Sequence, residues 1–247
     1  MNRSKHKFSL KNLTKEQKKL RKRILEISHE SHFSHLGSCL SAVDLIDAIY
    51  KIKSPDEKFI LSNGHAGIAW YAVLEKNGFF NAPDEIKKLN IHPDRNPKYD
   101  IYASSGSLGQ GLPIAIGIAL SNRTKKVYCM LSDGECAEGS IWEALRVIYE
   151  QNLYNIKITI NANGWSAYDK VQLTYLAKRM QAFGFIVQKI NGHDTKNIIE
   201  TMKKKIDKPQ IFFAYTSVEQ FPFLNGLEAH YYIMEQKDFE LAMEELQ

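Results

Sequence analysis

From residue 127 onward the chain alternates in character. Apolar, β-branched runs at 127–131, 156–161, 185–190 and 210–216 are separated by amphipathic stretches at 139–151, 174–183 and 195–206. Strands spaced by helices have room for crossover connections, so they build a parallel sheet flanked by helices. That alternation constrains the chain more than any single motif. It predicts an α/β fold, and nothing in the sequence resembles a long linker, an internal repeat or a low-complexity tract. One domain over 1–247 is expected. With 247 residues, 44% of them hydrophobic, it has enough apolar material for one sizeable core.

The first half reads less regularly. Thr14-Lys-Glu-Gln17 is a capping box ahead of Leu20, Ile24 and Ile27 at helical spacing. A second helix is expected over 41–50. A short strand, 59–61, ends in Ser62-Asn63-Gly64-His65, and a helix over 66–76 stops at Asn77-Gly78. Residues 90–110 are loop-rich. Residues 112–120 are apolar all round, as a buried helix is. A last helix covers about 236–246, within a variable tail at 217–247.

Charge is uneven. The formal net charge is +5, yet residues 1–26 alone hold ten Lys/Arg against two Glu. The basic arm at 1–23 has almost no interleaved aromatic residues, which argues against nucleic-acid binding. A solvated helix face is the expected reading. No apolar run approaches the roughly 18 residues of a membrane span. The Lys-rich start lacks a following apolar segment, so no secretory signal is expected. Cys39, Cys129 and Cys136 show no metal or disulfide spacing. Together these features point to a cytoplasmic protein with neither nucleic acid nor membrane as partner.

The turns carry the chemistry. The strand at 127–131 ends in Ser132-Asp133-Gly134, and the next strand ends in Asn161-Ala162-Asn163-Gly164-Trp165. Asp133 and Asn163 are 30 residues apart, one strand–helix–strand length. Parallel strands joined by a crossover present their C-terminal ends side by side, where ligands of such sheets bind. Two hard oxygen donors then face one point, which suits Mg²⁺ completed by phosphate oxygens and water. Gly134 would let a backbone amide approach an anion. The alternative is two ordinary Asp-Gly and Asn-Gly turns; the equivalent placement favours a metal–diphosphate site. His35, His65, His92 and His193 all fall in loops or at element ends, where they could exchange hydrogen bonds or protons with a ligand.

As a set, SHLGSCLSAVDLIDAIY, LSNGHAGIAWYAVL, SGSLGQGLPIAIGIAL, SDGECAEG…NANGW and INGHD resemble the transketolase family, in the manner of the N-terminal subunit of split transketolases. The resemblance runs from about residue 20 to 216. It implies the thiamine diphosphate-binding fold of the diphosphate-binding (PP) type, with thiamine diphosphate and Mg²⁺ as cofactors. By position, Asp133, Asn163 and the carbonyl of Trp165 match the Mg²⁺ ligands. Ser132, Gly134 and Glu135 lie in the diphosphate-binding turn, and Gly106, Ser107 and Leu108 lie in the loop beside the aminopyrimidine. His65 matches a histidine touching both diphosphate and substrate. His35 and His92 match histidines that hold substrate hydroxyls, and His193 matches one that lines the channel and binds the cofactor. Glu138 matches an acid at the subunit contact. The implied reaction moves a two-carbon ketol unit from a ketose to an aldose, either of which could be a sugar phosphate.

The resemblance also implies a missing half. In this family the glutamate that activates the aminopyrimidine, and the phosphate-binding arginines, lie on a pyrimidine-binding domain. A partner chain of about 300 residues, the C-terminal subunit, is expected, in an α₂β₂ heterotetramer. Departures from the family pattern are Ser132 for glycine, Leu36 and Ser107 for prolines, and the tail Phe221 to Tyr232, where only His230 is kept. Two other readings stand beside it: an α-type subunit of a decarboxylating or 2-oxoacid dehydrogenase enzyme, and a non-catalytic cofactor-binding subunit.

Overall fold

A computed structural model describes residues 8–80 and 83–247; residues 1–7 of the basic arm lie outside the described residues. Five strands form one wholly parallel sheet: β1 (Lys58–Leu61), β2 (Val127–Ser132), β3 (Ile156–Ala162), β4 (Ile186–Asn191) and β5 (Gln210–Tyr215), in the order β1-β2-β3-β5-β4. The helices are α1 (Lys15–Glu30), α2 (Leu36–Ile52), α3 (Gly67–Lys76), α4 (Gly111–Ser121), α5 (Gly139–Glu150), α6 (Leu173–Ala182), α7 (Thr195–Met202), α8 (Glu228–Tyr231) and α9 (Gln236–Glu245).

Strand side chains alternate between two cores, as the period of two requires. Phe59, Leu61, Tyr128, Met130, Phe212 and Ala214 face a core with α1, α2, α3, α7 and α9. Ile60, Cys129, Leu131, Ile158, Ile160, Ile211 and Phe213 face the opposite core with α4, α5 and α6. The path from β1 to β4 advances in one direction and lays α4, α5 and α6 on one face. From β4 to β5 the chain doubles back, and α7 packs on the other face. Right-handed crossovers produce that switch.

The expected strands are all present. The capping box at the start of α1 forms as read, with Thr14 Oγ1 accepting from the Gln17 amide at 3.3 Å and Gln17 Oε1 from the Thr14 amide at 3.1 Å. Two helices differ in extent. The second starts at Leu36 instead of 41, because His35 adopts a left-handed conformation (φ 65°) that begins the helix early. The helix expected over 195–206 ends at Met202. Two basic residues depart from the solvated-face reading. Arg21 is fully buried and bonds both carboxylate oxygens of Asp44, at 3.0 and 2.6 Å. Arg23 also turns inward, onto Glu75 and Glu26. The three cysteines are buried and free. No helix among the described residues is long and apolar enough to cross a membrane.

Candidate active site

Register fixes the site. Ser132 pairs with Asn161, so β2 and β3 end level and their turns meet. Asp133 is buried, and its Oδ2 accepts from the Gly164 amide at 2.6 Å while Oδ1 accepts from its neighbour Gly134 at 2.9 Å. Asn163 follows, its Oδ1 accepting from the Trp165 amide at 2.9 Å. The two turns are therefore one joined structure. A Cβ at residue 134 would sit 2.8 Å from Ser166 Cα and 3.5 Å from the Trp165 carbonyl oxygen. Gly134 thus serves first to let the 164–166 loop close onto β2, a stronger demand than the anion approach read from sequence.

The electrostatics of Asp133 are unusual. Burial pushes its carboxyl up to about 7, and only backbone amides oppose the shift. Among the described residues it has no ion-pair partner. A buried carboxylate with no counter-charge, beside an amide oxygen and a carbonyl, is a donor set that fits a hard divalent cation. Asp133, Asn163 and the Trp165 carbonyl would hold it.

Glu135 does different work. Its Oε1 accepts from Ser62 Oγ at 2.6 Å and from the Gly109 amide at 2.8 Å, and Ser62 Oγ accepts from the Gly111 amide at 3.1 Å. It pins the glycine-rich loop to the ends of β1 and β2, deep enough that burial raises its carboxyl to about 7. Ser132 is likewise turned inward, its hydroxyl accepting from the Glu135 amide at 3.1 Å. Both stand behind the site wall instead of presenting groups to a ligand. Gly106 (φ 134°) lets that loop pass against the His92 ring, where a Cβ would lie 2.9 Å from Cγ. Ser107 is exposed and Leu108 half-buried. Glu138 is exposed at the N-cap of α5, against Gly109.

Four histidines converge next to this loop. Ring centroids of His35 lie 5.7 Å from His65, 5.7 Å from His92 and 4.5 Å from His230, and His65 lies 5.2 Å from His230. Burial, then repulsion from neighbouring imidazoles, lowers His35 to about 4 and places His65 well below the usual histidine range. His230 is lowered for the same reasons. These three rings are neutral near pH 7, each with a donor and an acceptor nitrogen. Among the described residues His35 Nδ1 is buried without a hydrogen-bond partner. His35 also donates its backbone amide to the His230 carbonyl at 3.0 Å, which ties the tail to the start of α2. Sequence reasoning assigns His230 no role; its signal is one histidine kept in an otherwise divergent segment.

His193 does not join this cluster. Its Nδ1 lies 2.8 Å from Asp44 Oδ2, and its Nε2 accepts from the Ser217 amide at 3.0 Å. Both ring nitrogens are spent within the chain, which leaves none for substrate or diphosphate, contrary to the channel-lining and cofactor-binding expectation. It belongs to a buried lattice with Arg21, Asp44 and Gln220, whose Oε1 accepts from Arg21 Nε at 2.8 Å.

Residues 2–182 match the family described as 1-deoxy-D-xylulose-5-phosphate synthase. Nearly the whole chain aligns with one of the lettered subunits of an apulose-4-phosphate transketolase from Actinobacillus succinogenes, 28% identical over 97% of each. The chain belongs to the transketolase family, as an N-terminal-type subunit. Human transketolase is 29% identical over 72% of this chain, which spans only 33% of that protein. The Campylobacter jejuni transketolase structure superposes with a TM-score of 0.79 at 24% identity, covering 94% of this chain and 42% of that one. The fold is therefore that of the N-terminal domain of transketolases.

Proposed function

We propose that this chain is the diphosphate-binding subunit of a two-chain transketolase that uses thiamine diphosphate and Mg²⁺. The observation that carries the reading is the meeting, on one sheet edge, of an uncompensated buried carboxylate and a cluster of four histidines. Asp133, Asn163 and the Trp165 carbonyl would hold Mg²⁺, whose charge would offset that of the diphosphate. Thiamine diphosphate, when bound, supplies the carbon nucleophile that splits a ketose. His35, His65, His92 and His230 orient the sugar hydroxyls. A neutral imidazole can accept a proton from one hydroxyl and donate to another. The relative named for apulose 4-phosphate supports a sugar phosphate as substrate.

The partner is a chain carrying the pyrimidine-binding domain. Two observations support it: the relatives that match along most of their length are named as one subunit of their enzyme, and α4 has an exposed side. That helix is apolar all round, yet Pro113, Ile114, Gly117 and Leu120 are exposed. A contiguous apolar face of this kind marks an interaction surface.

The test is the cofactor content of the chain purified with its partner. Stoichiometric thiamine diphosphate and Mg²⁺, with ketol transfer between sugar phosphates, is the expected result. A complex that remains cofactor-free after both are supplied overturns the reading. The family match over 2–182 favours one second reading, a decarboxylating synthase. Release of CO₂ from a 2-oxoacid, in place of ketol transfer, would select it.

A further inference from the structure

The tail after β5 departs from the family pattern, and the structure gives its residues a task. Segment 226–231 touches both halves of the site. On one side, His230 joins the histidine cluster. Its Nδ1 lies 3.2 Å from Ser38 Oγ on α2, and its carbonyl accepts from the His35 amide. Ala229 packs so closely on α2 that a Cβ at Gly37 would lie 2.8 Å from the Ala229 Cβ. On the other side, Tyr231 reaches over the turn that follows β3. Its hydroxyl donates to the Ala167 carbonyl at 2.6 Å. Gly226 (φ 49°) lies flat on the Trp165 indole, where a Cβ would come within 2.8 Å of Cζ2. The Lys170 ammonium is 5.1 Å from the centroid of the same indole.

We infer that segment 226–231 is a strap joining the 165–170 loop to the histidine cluster, with Tyr231 as a positioning residue for the Trp165 carbonyl. The inference rests on the metal-site reading above only for what that carbonyl holds; the strap itself is a matter of the chain alone. The near end of the loop sits on the β2 turn, through the Gly164 amide on Asp133 Oδ2 and the close approach of Ser166 to Gly134. Its own local bonds, the Ser166 amide to the Asp169 carbonyl at 2.8 Å and the Val171 amide to the Gly164 carbonyl at 2.9 Å, fix its shape. Tyr231, at Ala167, and Gly226, on the Trp165 indole, add the contacts that tie it to the tail. Tyr231 needs its hydroxyl for this, since the ring is about half exposed and has little packing to contribute.

Two measurements on Tyr231→Phe test the strap. The first is amide hydrogen exchange of residues 165–170 in the full chain without cofactor. Exchange is expected to rise about 3- to 10-fold, the loss of one modest hydrogen bond, while β2 and β3 stay protected. The second is Mg²⁺–thiamine diphosphate affinity in the two-chain complex, read by quenching of tryptophan fluorescence, with a loss of similar size. Gly226→Ala, which wedges a methyl under the indole, is expected to shift the same two readouts further. Unchanged exchange at 165–170 in both variants overturns the strap. If exchange rises as expected but the wild-type complex binds no cofactor, the metal-site reading fails and the strap stands. If exchange rises and both variants bind cofactor as tightly as the wild type, the positioning role for Trp165 is overturned.

Discussion

Asp44 and Asp133 are both fully buried carboxylates, and they titrate in opposite directions. Burial pushes Asp44 up, but Arg21 lies across both its oxygens and His193 on one of them, and these partners win and hold its carboxyl below the usual range. Asp133 receives only backbone amides, and burial carries it up to about 7. The signs of their stability contributions follow. Asp44 supports the fold above about pH 4 and loses that support as pH falls through its depressed value. Asp133 holds its proton in the folded state between about pH 4 and 7, so its ionisation weakens the fold as pH rises through that window. One aspartate is neutralised from within the chain. The other is a carboxylate the chain does not balance, as the proposed cation site requires.

The largest effect that would break this comparison is loss of Arg21. Arg21→Ala leaves Asp44 buried and half-compensated, and should cost about 3–5 kcal/mol in denaturant unfolding. A loss under about 1 kcal/mol would show that the pair does not hold α1 to α2. Next in size, Asp133→Ala should weaken Mg²⁺–thiamine diphosphate binding by about 100-fold or more in calorimetry, with circular dichroism unchanged. Retained affinity would remove Asp133 from the metal site.

The third effect is a pH dependence. Metal ligands must be deprotonated to bind, so cofactor affinity of the complex should fall up to about tenfold per pH unit below about 7. A flat profile between about pH 5.5 and 8 would mean that no cation meets the Asp133 carboxylate. The smallest expected change sharpens the contrast between histidines. His193→Gln should lower stability by about 1–3 kcal/mol with little change in cofactor affinity. His230→Ala should instead reduce turnover with little change in unfolding. Exchange of these two outcomes would return His193 to the substrate channel.

Much of this is legible in the sequence. The strand–helix alternation after residue 127 marks all four later strands, because each strand has an apolar run and each connection has helical periodicity. Asp133 and Asn163 stand out because a crossover has a characteristic length and both residues sit at strand ends. Three histidines of the cluster are signalled by their loop positions. What escapes is long-range pairing. Arg21 looks like its lysine neighbours along α1, and only the fold brings Asp44 beneath it. His193 sits in a loop as His65 does, but its ring is claimed by Asp44, 149 residues away. Motif position alone sets Glu135 and Ser132 against the ligand; the register turns them onto Ser62 and the glycine loop instead. Gly134 signals a close approach correctly, and the nearer object is Ser166.

The outward face of α4 has a consequence for how the protein is made in the cell. A subunit that leaves Ile114, Gly117 and Leu120 bare offers chaperones and proteases the same signal as an incompletely folded chain. If the proposed partner covers this face, synthesis out of balance with it is self-correcting, since surplus copies aggregate or are degraded. Co-expression should raise soluble yield well above that of the chain alone, and a charged residue in place of Leu120 should rescue the lone chain while impairing assembly.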